Sequence, residues 1–189
     1  SGPSHLTEFR MLEWYRNEKT HRDLIEEITD LLERIGFNCN ILTLSYQTIF
    51  KNKFDVSPHE ASVFQLRDLV AKNISIDPKV LIDRTELFDC LNMVLMDTEI
   101  FKNNAIFVYD FPVELRGYSE LCADIRYAKR FELYIKGLEI ANGYQEIIDP
   151  EEQKQCFLAE NQLRRRRGTP TVPINEEFLQ VMRNNNRRK

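Results

Sequence analysis

The chain has 189 residues, 42% hydrophobic and 30% charged, which suits one soluble domain, or at most two small ones, with a real core. Its formal net charge of -4 gives no general reason to expect DNA or membrane binding. No apolar run approaches the ~18 residues of a membrane span. No signal peptide opens the chain, and Cys39, Cys90, Cys122 and Cys156 form no CxxC pair. The cysteines read as reduced thiols in a cytoplasm.

The first predicted element is a strand from Glu8 to Tyr15. Alternation puts Phe9, Met11, Glu13 and Tyr15 on one face and Arg10, Leu12 and Trp14 on the other. Both faces are largely apolar, so a central strand covered on both sides is expected. An amphipathic helix follows over Thr20 to Ile35, capped by Thr20 and ended by Gly36. A mostly helical section is expected at about 42–104. Within it, Ser57-Pro58-His59-Glu60 is a helix start signal, and a further helix covers Thr85 to Met96. Ala105 to Pro112 reads as a strand of β-formers stopped by proline.

The stretch FELYIKGLEIANGYQE, Phe131 to Glu146, carries three glutamates in a core-like setting. A two-residue turn at Lys136-Gly137 makes it a hairpin. Paired outward from that turn, Tyr134 faces Glu139 and Glu132 faces Ala141. Glu132, Tyr134 and Glu139 then share an acidic front. Phe131, Leu133, Ile135, Leu138 and Ile140 form an apolar back. Two carboxylates so placed repel unless a cation lies between them, and magnesium carrying phosphate oxygens meets that need. The simpler reading is a solvated acidic face on an edge hairpin. Asn142 and Glu146 lie just beyond, where the pattern leaves their direction open.

A last long helix starts with Asp149 as cap and Pro150 in its first turn, and runs to the arginines before Gly168. A short helix follows from about Asn175. Arg164 to Arg167 form a basic run, and the last seven residues contain four basic groups and no acid. RNA contact is one use for such a run. Arginines at a helix end more often complement the helix dipole. No GxGxxG or GxxxxGK[ST] is present, so neither dinucleotide nor P-loop binding is supported. The hairpin favours an antiparallel sheet with helical excursions, an α+β fold.

Two stretches carry a resemblance. HLTEFRMLEWYR resembles the end of motif 2 in lysine-type class II aminoacyl-tRNA synthetases. FELYIKGLEIANGYQEIIDPEEQKQCF resembles the segment before motif 3 in the same enzymes. With LSYQTIF, FVYDFP and NQLRRRRGTPTVPINEEFLQVM, the chain is most similar to the stand-alone lysyl-type branch that modifies elongation factor P. The resemblance implies a class II catalytic sheet flanked by helices, ATP and magnesium, and activation of lysine or β-lysine as an adenylate. It implies elongation factor P as acceptor, with tRNA as the alternative, and a homodimer in the full-length form. Phe9 matches the adenine-stacking aromatic, with Glu8 beside it, and His5 matches the loop histidine near the phosphates. Glu13 and Tyr15 match residues holding the substrate ammonium, and Glu146 matches a second acid facing it. Glu132 and Glu139 match magnesium-binding acids, and Asn142 a contact to the substrate carboxylate. Leu6-Thr7 departs from the usual Asn-Pro. Segments matching motifs 1 and 3 are not among the 189 residues. These residues alone are therefore expected not to activate amino acid. A catalytically dead, binding-only relic is the rival reading.

Overall fold

The computed structural model describes residues 8–37, 40–81 and 83–186. In chain order they form α1 (His21–Arg34), β1 (Ile41–Ser45), α2 (Tyr46–Phe54), α3 (Val63–Asn73), α4 (Arg84–Met96) and α5 (Glu99–Asn103). Then come β2 (Ala105–Pro112), β3 (Tyr127–Ile135), β4 (Leu138–Tyr144), α6 (Pro150–Arg166) and α7 (Glu176–Asn186). The strands lie in the order β1-β2-β3-β4. β2, β3 and β4 are antiparallel neighbours, and β1 runs parallel to β2. The sheet is thus antiparallel with one parallel edge strand, flanked by helices.

Strand alternation divides the core between the two faces of the sheet. Ile106, Val108 and Tyr134 face α2 and α4, where Tyr46, Phe50, Phe88 and Leu91 meet them. Phe107, Phe131 and Leu133 face α1 through Ile25 and Ile28. The helix starts follow local chemistry. Thr20 and Asp23 form a capping box on α1. Asp83 caps α4 and Asp149 caps α6. No helix among the described residues is long and apolar enough to cross a membrane. The described cysteines, Cys90, Cys122 and Cys156, are free thiols.

Three expectations are corrected. The segment 8–15 forms no strand: Phe9, Met11, Leu12 and Tyr15 stand exposed, and Trp14 packs on the α1-side core. Its alternation has the period of a strand, but no described strand offers it a ladder. β1 lies in a section read as helical; its five residues are too short for periodicity to identify. The helix expected at Ser57 begins at Val63 instead, capped by Ser62. After Pro58 the chain makes one turn, with Ala61 N–H donating to the Ser57 carbonyl at 3.0 Å. Arg84 then takes the carbonyls of Ala61 and Pro58 at 2.6 and 3.2 Å, so a tertiary contact ends what the local signal starts.

Two arginines of the basic run, Arg164 and Arg167, are committed within the fold. Arg164 bonds Glu160 at 3.0 Å, and Arg167 reaches Asp83 at 3.4 Å and Glu86 at 3.0 Å.

One polar knot ties α1 to the sheet. Asp110, at φ 55 in β2, accepts from His21 Nε2 at 2.9 Å and from Arg22 Nη2 at 2.6 Å. Burial pushes the Asp110 carboxyl up, but the His21 hydrogen bond and the Arg22 charge outweigh it and hold the pKa below the ordinary value. A lowered folded pKa stabilises above the unfolded pKa of about 3.9, and that stabilisation is lost as pH falls through the folded value. Asp110→Asn keeps a residue that tolerates this backbone conformation. It is expected to cost about 1–2 kcal/mol at neutral pH. In urea melts from pH 7 down to pH 3 the gap to wild type should narrow; a constant gap would show that charge is not the cause.

Candidate active site

The hairpin turns at Lys136 and Gly137 with φ of 51° and 78°, both positive, as a type I′ turn requires. Ile135 pairs with Leu138 and Tyr134 with Glu139, as the sequence predicts. The ladder then shifts. Leu133 pairs with Ala141, Glu132 with Asn142, Phe131 with Gly143 and Arg130 with Tyr144. Ile140 is the extra residue of a β-bulge, and the expected pairing of Glu132 with Ala141 is corrected. Leu138 and Ile140 are exposed instead of joining an apolar back.

The bulge decides which side chains meet. Without it, Asn142 would oppose Phe131 on the α1 side. With it, alternation carries Asn142 and Tyr144 onto the face of Arg130, Glu132 and Tyr134. Glu146, two residues further, lies just beyond β4 and close enough to Tyr15 for that hydroxyl to favour its ionised form. One extra residue therefore aligns two polar positions, Asn142 and Tyr144, that simple alternation would send to the other face.

Glu132 is no part of a solvated edge. β3 lies between β2 and β4, and Glu132 keeps only 7% of its surface exposed. Arg130 and the Tyr134 hydroxyl both donate to its carboxylate. Burial raises its pKa, and the nearby charge of Glu139 adds to that, against Arg130 and Tyr134, which favour the ionised form. Glu139 is exposed and accepts from Asn142 Nδ2 at 3.2 Å. The solvated reading thus holds for Glu139 and fails for Glu132.

Glu146 is exposed as a residue, yet its neighbours crowd the carboxyl enough to raise its pKa, with the Tyr15 bond opposing. Tyr144 lies close enough for the Glu146 and Tyr15 charges to raise its own pKa, after burial. Tyr144 stands among these candidate residues, and the sequence pattern did not single it out. Its spacing of two from both Asn142 and Glu146 was the available signal, once the bulge set the face. Glu8, Phe9 and Glu13 are exposed and are not drawn into this cluster. His5 lies outside the described residues.

The donors suit one kind of metal. Among the described residues no group of three or more His, Cys, Asp and Glu side chains could cage an ion. Glu132 and Glu139 offer two carboxylates on one face, and their mutual charge favours a cation. That sparse set fits magnesium, which uses one or two carboxylates and takes its other oxygens from phosphate and water.

A family model described as tRNA synthetases class II (D, K and N) matches residues 2–183. The chain is 36% identical over 184 residues to an elongation factor P–(R)-beta-lysine ligase of Enterobacter sp. (strain 638). It is 37% identical over 186 residues to a protein of that name from Yersinia pestis (strain Pestoides F), and 37% over 187 residues to one from Edwardsiella ictaluri (strain 93-146). These matches cover 96%, 97% and 96% of this chain, respectively. The chain spans 57% of the length of each of these curated relatives.

Proposed function

The chain belongs to the class II tRNA synthetases (D, K and N), and from that premise we propose that it is part of a ligase that activates lysine or β-lysine with ATP and passes the acyl group to a lysine of elongation factor P. The observation that carries this reading is the β4 bulge. It sets Asn142 and Tyr144 on the face of Glu132, with Glu146 and Tyr15 meeting at one end. Such a face has an acidic end for an ammonium and another acidic end for a cation with phosphates. The names of the relatives support the choice of substrate and acceptor.

In this reading Glu146 and Tyr15 receive the substrate side-chain ammonium, and Glu13, outside their cluster here, is the further acid that the family resemblance assigns to it. A buried ammonium needs carboxylates and hydroxyl acceptors to replace its water. Asn142 orients the substrate carboxylate. Phe9, whose ring is exposed, stacks on adenine with Glu8 beside it, and His5 meets the phosphates. The substrate carboxylate oxygen bonds to the α-phosphorus as the bond to the pyrophosphate oxygen breaks, giving the adenylate. The acceptor lysine amine then attacks the acyl carbon and AMP leaves. Glu132 and Glu139 would hold magnesium, which supplies charge neutralisation to the phosphate oxygens. Placing the reactants side by side does most of the work.

The test is lysine-dependent ATP–pyrophosphate exchange. The 189 residues alone are expected to be silent. A protein of the relatives' length that carries them is expected to exchange with α-lysine or (R)-β-lysine, and to label elongation factor P in preference to tRNA. Exchange with neither amino acid would sink the reading; labelling of tRNA instead would move the acceptor.

A further inference from the structure

Glu132 is a carboxylate on an inner strand, and both its oxygens are already claimed. Arg130 donates through Nη2 to Oε1, and the Tyr134 hydroxyl donates to Oε2. These partners stand two residues before and two after on the same strand, so alternation puts all three on one face. Each carboxylate oxygen keeps a further lone pair for another ligand.

Arg130 is itself fixed from outside β3. Its Nη1 donates to the Leu115 carbonyl at 2.5 Å, and its guanidinium lies 4.6 Å from the centroid of the Phe111 ring. Only 22% of its side chain is exposed. A planar guanidinium held by a carbonyl, a ring and a carboxylate has little freedom left. A glutamate has three rotatable bonds, and Glu132 has no other ion-pair partner among the described residues. The carboxylate therefore takes its place from the arginine, and not the reverse.

We infer that Arg130 is a positioning residue: anchored by Leu115 and Phe111, it holds the Glu132 carboxylate against Tyr134, ready to accept a cation together with Glu139. The inference rests on the reading of Glu132 and Glu139 as the cation-holding pair. Arg130 touches neither cation nor nucleotide in this scheme. Its loss should weaken the cation end of the site more than the ammonium end, which Arg130 meets only through its cross-strand neighbour Tyr144.

The experiment uses Arg130→Met and Arg130→Lys, with manganese as a paramagnetic probe, in the presence of ATP. Arg130→Met is expected to weaken manganese binding by at least about tenfold, the usual cost of losing an outer partner of a metal ligand. Lysine, titrated separately by calorimetry, should lose less affinity than manganese does, since Arg130 meets the ammonium end only through Tyr144. Arg130→Lys keeps the charge but not the fork or the ring stack, and should fall between the two. It also serves if Arg130→Met fails to fold. Crystal structures of wild type and variants give the second readout: Glu132 should swing away from Tyr134 when Arg130 is replaced. A variant that keeps Glu132 in place, or binds manganese as wild type does, overturns the inference. If wild type binds no manganese, the cation reading itself falls, and the crystal structures alone decide the role of Arg130.

Discussion

Glu146→Gln is expected to weaken lysine binding by about tenfold, about 1.4 kcal/mol, while ATP binding stays within about twofold. The substitution keeps the shape of the side chain and still offers an oxygen to the Tyr15 hydroxyl. What it removes is the charge facing the substrate ammonium. Losing one partner of a buried, hydrogen-bonded charge pair costs about 2–5 kcal/mol, and less is expected where, as at Glu146, the carboxylate is exposed. Norleucine, which has the stem but no ammonium, gives the control: wild type should strongly prefer lysine, and the variant should lose most of that preference. The pH dependence gives a second signature. Crowding raises the Glu146 pKa, so its proton returns at a higher pH than for an ordinary glutamate. Lysine affinity should fall as pH drops through that value in wild type and stay flatter in the variant. Calorimetry that finds lysine bound equally tightly by Glu146→Gln would remove Glu146 from the ammonium site.

The sequence made much of this site legible, but not its alignment. The Lys136-Gly137 turn could be read from glycine alone, and the first two cross-strand pairs followed from it. The caps at Thr20 and Asp149 are local hydrogen bonds, so local sequence suffices to find them. The bulge at Ile140 left no such mark. It carries no glycine, and a β-branched residue there looks like any strand position. Yet it alone turns Asn142 towards Glu132. The burial of Glu132 was hidden for a related reason. A hairpin read by itself has two open sides, and only the pairing of β3 with β2 shows that one is closed. The segment 8–15 failed in the opposite sense: its pattern promised a covered strand, and tertiary structure among the described residues covers only Trp14. Periodicity reports what a stretch could bury, while pairing decides whether it does.

Gly143→Ala should show how tightly that pairing is built, with an expected loss of about 2–3 kcal/mol and a fall in melting temperature of about 5–10 °C. A β-carbon at Gly143 would lie 2.5 Å from Cζ and 2.6 Å from Cε1 of Phe131. Phe131 is fully buried between β4 and α1 and packs edge-on to Phe107 at 5.8 Å, so its ring has no room to retreat. The backbone at Gly143 is not in the left-handed region, so the penalty is steric. In an ordinary strand the same change would gain about 0.5–1 kcal/mol by restricting the unfolded chain. Phe131→Leu separates the two effects, because leucine lacks the two ring atoms that the new methyl strikes. It costs stability of its own through lost packing. In that background, however, Gly143→Ala should be neutral or favourable, giving a coupling energy of about 2 kcal/mol in a double-mutant cycle. The clash also bears on the site, since Gly143 joins Asn142 to Tyr144. A strand lifted off Phe131 carries both away from Glu132, so Gly143→Ala should weaken lysine binding at temperatures where the protein is still folded. If Gly143→Ala melts with wild type, the Phe131 ring turns aside at little cost, and the glycine is not what lets β4 lie flat beneath the site.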